Sequence, residues 1–367
     1  MRSRAYQGVA GALSLAAVLA LGACGSAKES DNGSGSGSSG GSVDEGFKIG
    51  LLLPETKTTR YEKFDRPYIT QEIAKLCPKC TVVYNNANQD PNLQQQQVDS
   101  MLTNGVKVLI LDAVDAKAIA GSVSKAKNQG VKVLAYDRLA SGPIDGYVSF
   151  DNLQVGKMQG QALLDAIKKG GDPKRGPIVM INGSPTDPNA ADFKKGAHEA
   201  LDGQVTIGKE YDTPDWSPDQ ANTEAAGAFT ALGASKVIGV YSANDGMAAG
   251  IAKAMQNAGV KSGTPLTGQD AELTGIQRIL LGTQTMTIYK PIKPEAQSAA
   301  QMAVDLGTGK TPTGNQKVGD NVPAQIITPI VVTKDNIKDT VVKDGFWTVR
   351  QICTGSAASA CASAGLS

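Results

Sequence analysis

From Lys48 onward, apolar runs of strand length alternate with helix-period segments almost to the end of the chain, and this alternation constrains the fold more than any other feature. Lys48–Leu53, Thr81–Asn86, Val106–Asp112, Val131–Asp137 and Tyr147–Asp151 read as strands. Asp65–Leu76, Pro91–Thr103 and Ala116–Asn128 read as the helices between them, the last closed by Gly130. The pattern then restarts, with strands at Pro177–Asn182, Val205–Tyr211, Lys236–Ser242, Pro265–Gly268 and Thr285–Lys290. Helices at Gln154–Lys169, Asn189–Leu201, Pro218–Leu232, Gly246–Ala258 and Leu273–Leu281 separate them. Continuously apolar strands divided by helices predict parallel sheets covered on both faces, and two such sets predict two Rossmann-like lobes. The body from Phe47 onward, about 320 residues, is large enough for two cores.

The N-terminus sets the compartment. Arg2 and Arg4 precede an apolar stretch, Val9 to Ala23, of signal-peptide length and too short to span a membrane comfortably. It ends in Leu21-Gly22-Ala23-Cys24, which resembles a bacterial lipobox. That resemblance implies cleavage of residues 1–23 and acylation of Cys24, so that the membrane is met only through lipid. The Gly/Ser-rich run after Cys24 has nothing to bury and reads as a tether to about residue 46, with a reach of roughly 25 Å. Formal net charge is +1, which gives no sign of a nucleic-acid partner.

Besides Cys24 the chain has Cys77, Cys80, Cys353 and Cys361, which allow three pairings in an oxidising space. Local pairing, Cys77–Cys80 and Cys353–Cys361, is the simplest because both segments contain turn residues. Cys77-Pro-Lys-Cys80 also has the spacing of a thiol redox motif or half a zinc site, without the context that either requires.

In sheets of this kind ligands sit beyond the carboxyl ends of the strands. Those ends carry Asp112, Tyr136-Asp137-Arg138, Asn182, Asn244-Asp245, Gln269-Asp270 and Tyr289-Lys290. Such groups of both signs suit a neutral ligand with many hydroxyls rather than a phosphate. Catalytic sets are missing. The one histidine, His198, falls in a helical pattern as an exposed residue, no HExxH or GxxxxGK[ST] spacing occurs, and no cofactor or metal is expected. Paired carboxylates such as Asp137 and Asp187 adjoin residues suited to holding a sugar rather than cleaving it. A DNA-binding regulator of the same two-lobed build would carry a helix-turn-helix where this chain has its leader and tether.

Ordered segments carry a resemblance across the whole body. They include Arg60-Tyr61, Val133-Leu-Ala-Tyr-Asp-Arg138, Val148-Ser-Phe-Asp-Asn152 and Gly183-Ser-Pro-Thr-Asp187. Ser242-Ala-Asn-Asp245, Gly268-Gln-Asp-Ala271 and Gly282-Thr-Gln-Thr-Met-Thr-Ile-Tyr-Lys-Pro291 continue it. The chain resembles the type I periplasmic sugar-binding proteins, most of all those members that take D-xylose for an ABC importer. The resemblance implies two lobes joined by a three-crossover hinge near Asp151–Asn152, Lys290 and Thr328. The N-terminal lobe would comprise 47–151 plus 291–327 and the C-terminal lobe 152–290 plus 328–350, with a Cys-containing tail at 351–367. It also implies a ligand set of Arg60, Tyr61, Asp137, Arg138, Asp187, Asn189, Trp216, Asn244, Asp270 and Lys290. Arginine forks and carboxylates would bind hydroxyls, with Trp216 and Tyr61 covering the ring. The expected role is a non-enzymatic, monomeric lipoprotein on the outer face of the membrane that passes a monosaccharide to a permease. D-xylose is favoured over glucose, galactose and arabinose; a sugar co-receptor for a sensor kinase would look the same.

Overall fold

The computed structural model describes residues 41–366. The expected signal peptide, Cys24 and the tether up to residue 40 lie outside the described residues. Residues 41–46, assigned above to the end of the tether, form a turn against the body, and the Gly41 N–H donates to the Gly307 carbonyl at 2.8 Å.

Five strands of the first half, β1 (Lys48–Leu53), β2 (Thr81–Asn86), β3 (Val108–Leu111), β4 (Lys132–Tyr136) and β5 (Gly146–Phe150), pair in parallel. Between them run α1 (Arg66–Leu76), α2 (Pro91–Thr103) and α3 (Ala120–Asn128). Side chains alternate between two buried faces: Leu51, Ile110 and Tyr136 enter one apolar cluster, Leu52, Leu109 and Ala135 another. A sheet buried on both sides explains why its strands read as unbroken apolar runs.

The second half gives α4 (Asn152–Lys169), β6 (Pro177–Asn182), α5 (Pro188–Leu201), β7 (Thr206–Asp212), α6 (Pro218–Leu232), β8 (Gly239–Ser242), α7 (Asp245–Ala258) and α8 (Leu273–Leu281). Its parallel sheet has the order β7-β6-β8. Pro265–Gly268, expected as a strand, makes a single bridge from Leu266 to Val240. The chain cannot prolong that ladder, because Asp270 and Ala271 turn into left-handed backbone at φ 86° and 47°. Thr285–Lys290 also departs from the parallel pattern: β9 (Thr287–Tyr289) pairs antiparallel with β12 (Ile330–Val332).

Elements beyond those read from the sequence pattern return the chain to the first sheet. Helix α9 (Ile292–Gly307) sets a polar stripe, Lys293, Gln297, Gln301 and Asp305, opposite buried Ile292, Ala296, Ala299 and Ala303, so its period is present in the sequence although it is not among the helices read there. Strand β11 (Val322–Ile327) then joins β5 in parallel, with β10 (Gln316–Val318) antiparallel at the edge. The chain therefore passes between the two lobes three times, at Phe150–Asn152, Tyr289–Ile292 and Ile327–Ile330. The tail, with α10 (Val349–Ile352) and α11 (Ala358–Ser363), folds onto α8, where the Gln277 amide donates to the Ile352 carbonyl at 3.0 Å. Cys77 lies beside Cys80 and Cys353 beside Cys361, with Cα separations of 5.3 and 5.8 Å that a disulfide spans.

Candidate functional site

The ten residues singled out above all line one cavity between the lobes, and each is at most 9% exposed. The cavity is nearly filled by its own lining, with about 20 Å3 left free, far below the roughly 300–1,000 Å3 typical of small-molecule sites. Thr58, Phe193 and Gln269 complete the lining. Phe193 carried no polar signal, but it lies four residues after Asn189 on the same face of α5.

On the first lobe the loop after β1 is shaped by the buried Glu55 carboxylate, which accepts the backbone N–H groups of Lys57 and Thr58. A π-helical turn, Tyr61–Asp65, follows and aims Arg60 and Tyr61 inward. The Arg60 guanidinium is fully engaged: Nη1 with Asp137 Oδ1 at 3.0 Å, Nε and Nη2 with Asp65 at 3.1 and 2.7 Å, and Nη2 with Glu295 Oε2 at 2.6 Å. The Tyr136 hydroxyl also donates to Asp65. Burial alone would lower the Arg60 pKa, but Asp137, Asp65 and Glu295 outweigh it and hold the cation firmly charged. Asp137 is likewise kept ionised, since Arg60, Lys290 and Arg138 overcome its desolvation.

Asp137 stands directly after β4 in left-handed backbone, φ 53°. Its carbonyl accepts from Ser149 Oγ, Tyr147 Oη and, across the cleft, Asn189 Nδ2, at 2.7, 3.0 and 3.1 Å. Arg138 donates to the Ala113 carbonyl and to Tyr61 Oη, and its Nε lies 3.0 Å from Asp187 Oδ2. Asp112, at the end of β3, is buried behind Arg138 rather than in the lining, and burial pushes its carboxyl well up.

The second lobe presents its groups from helix starts and tight turns. Asp187 caps α5, accepting the Asn189 N–H at 2.9 Å, and Asn244 caps α7, accepting the Met247 N–H at 2.8 Å. Trp216 ends a short turn in left-handed backbone at φ 54°, and its Nε1 donates to Asp187 Oδ2 at 3.2 Å. Its indole lies over Gly183, where a Cβ would land inside the ring. Lys290 reaches Asp270 Oδ1 at 3.5 Å and sits 4.9 Å from the Phe193 ring centroid.

Lining charges balance: Arg60, Arg138 and Lys290 face Asp137, Asp187 and Asp270. In the wall, Gln269 Oε1 has no hydrogen-bond partner among the described residues, while Arg138 Nε is held by its ion pair with Asp187. An acceptor left open in a charge-balanced cavity is suited to a hydroxyl group of a neutral solute.

Two other residues take places that the sequence did not indicate. Asn182 turns away from the cavity to Glu210. His198 is partly buried rather than exposed, with Nδ1 2.9 Å from Asp202 and Nε2 3.0 Å from Glu210. Among the described residues no group of three or more His, Cys, Asp or Glu is placed to hold a metal, and no helix is long and apolar enough to cross a membrane.

Comparison with known proteins agrees with this architecture. Residues 49–311 match the model of the periplasmic binding protein domain. The D-xylose-binding periplasmic protein of Escherichia coli is 38% identical over 308 residues, covering 82% of this chain and 90% of that protein. Its Haemophilus influenzae counterpart is 36% identical, covering 83% and 92%. Among solved structures, an ABC transporter solute-binding protein from Clostridium phytofermentans with bound β-D-glucose superposes with a TM-score of 0.75 at 25% identity, covering 83% of this chain and 99% of that one. With two parallel-sheet lobes, three crossings and a polar cavity between them, the chain belongs to the periplasmic binding protein family.

Proposed function

We propose that the chain binds one neutral monosaccharide, D-xylose, in the cavity between its lobes and delivers it to the permease of an ABC importer. The carrying observation is the cavity itself, with three cations against three carboxylates and an open acceptor in the wall. A charged solute would upset that balance, whereas a sugar offers hydroxyls that both donate and accept. Trp216, Tyr61 and Phe193 supply ring faces for its C–H surface. The relatives named above as D-xylose binders favour that sugar. The neighbour holding β-D-glucose supports a second reading, a hexose in the same place.

Binding would close the lobes about the three crossings. Bonds across the cleft, Asn189 to the Asp137 carbonyl and the Thr59 N–H to Glu272 Oε1 at 3.3 Å, would then form together with the ligand contacts. Acylated Cys24 would hold the protein at the outer face of the membrane, near its permease, as a monomer with two local disulfides. The test is calorimetric titration of the purified chain with D-xylose, D-glucose, D-galactose and L-arabinose. One-to-one xylose binding that Trp216→Ala abolishes is expected. Preference for a hexose would replace the ligand but keep the mechanism, and silence with all four sugars would overturn the assignment.

A further inference from the structure

Asp270 is mounted on unusual backbone. It and Ala271 are consecutive non-glycine residues at positive φ, a conformation that persists only where the surroundings impose it. Three hydrogen bonds hold the pair: the Asp270 N–H to the Ile288 carbonyl at 2.8 Å, the Ala271 N–H to Thr287 Oγ1 at 3.1 Å, and the Ala271 carbonyl to a donor. That donor is the indole Nε1 of Trp347, at 2.8 Å, from a residue 76 positions later in the chain.

Trp347 is 1% exposed and reaches the other lobe as well. Its ring meets Phe64 edge-on at 5.4 Å and packs against Phe346, which itself stacks on Phe64 at 4.1 Å. Phe64 belongs to the same π-helical turn that begins at Tyr61 and is preceded by Arg60. This one side chain thus touches the segments that present cavity groups from both lobes, without itself lining the cavity.

We propose that Trp347 is a positioning residue for Asp270, fixing the left-handed turn that aims its carboxylate at Lys290 and at the ligand. This rests on reading the cavity as the sugar site. The indole N–H closes the turn from behind, and the stacked Phe64 and Phe346 rings fix where that N–H can be. Trp347 therefore serves the binding site, and not merely the stability of the second lobe.

Trp347→Phe keeps an aromatic filler and removes the donor. Losing one such bond should weaken xylose binding about three- to tenfold, while in an Asp270→Asn background the same change should cost less than about twofold. Amide exchange on the sugar-free protein checks the turn directly. Exchange at Asp270 and Ala271 should quicken about tenfold, by the same loss of one bond, with Met180 and Ile181 in β6 unaltered. If the phenylalanine variant does not fold, Trp347→Met, a flexible filler without a donor, replaces it. Equal losses of affinity in both backgrounds, no loss, or exchange quickened alike in β6 would overturn the positioning role and leave the sugar site standing. Failure of the unaltered chain to bind any sugar would remove the site and this role together.

Discussion

On one wall of the cavity Arg60 and Arg138 are held by other side chains; on the facing wall Asp187, Asn244 and Asp270 are held by the backbone from which they grow. The first wall is an ion network, with Arg60 shared among Asp65, Asp137 and Glu295. The second uses two helix caps and a left-handed turn. An ion network keeps long, flexible side chains in one rotamer but is costly to break, because each partner is left charged in a dry place. A cap or a turn fixes a short side chain through its own φ and ψ and loses little when the side chain is trimmed. The difference follows from reach. Arginine must be gripped along its length to be ordered, whereas aspartate and asparagine are positioned once their Cα is.

Three measurements would break or sharpen that contrast. Arg60→Ala should be the most damaging, destabilising the chain by about 3–5 kcal/mol in urea unfolding because Asp65, Asp137 and Glu295 then face one another unpaired. A loss below about 1 kcal/mol, the level of an exposed pair, would mean that the network does not order the wall. Asn244→Ala should cost only about 1 kcal/mol, the value of a lost cap, while still weakening sugar binding. A cost as large as that for Arg60 would erase the distinction between the walls.

The smallest effect concerns pH. Burial, reinforced by Asp245 and Asp270, raises the Glu272 pKa to about 8, and burial raises that of Asp245 to about 7. The unfolded chain releases both protons at ordinary carboxylate pH, so between those values and about 7–8 the folded state binds more protons than the unfolded. Stability contributed by these groups is then complete at acid pH and falls as pH rises towards 8. Melting curves taken from pH 5 to pH 8 should show that decline, and Glu272→Gln should flatten its upper part. An unchanged slope in the variant would place the titration elsewhere.

The strand-end rule brought Asp137, Arg138, Asn244, Asp270 and Lys290 into view from the residues themselves, although Lys290 follows an antiparallel strand and Asp270 a single bridge. Arg60, Tyr61, Asp187, Asn189 and Trp216 needed the family resemblance. Arg60 follows a loop seven residues past the end of β1, and Trp216 depends on a left-handed turn that no periodicity announces. The partners of Arg60 were hidden for a different reason. Glu295 lies 235 positions away, and nothing in the local pattern of its helix marks it as a partner of Arg60. His198 looked exposed because its helix pattern was read alone, without β7, which brings Glu210 to its ring.

Gly183 and Trp216 have a consequence for how such a sequence can change over generations. Any side chain at 183 would occupy the space of the indole, so the two positions cannot drift separately. A lineage that keeps the tryptophan is bound to keep the glycine. One that gives up the tryptophan frees position 183 and opens a gap beside Asp187, where a ligand of different outline could find room. Exchange of one sugar for another would then leave its trace as a paired substitution at these two sites.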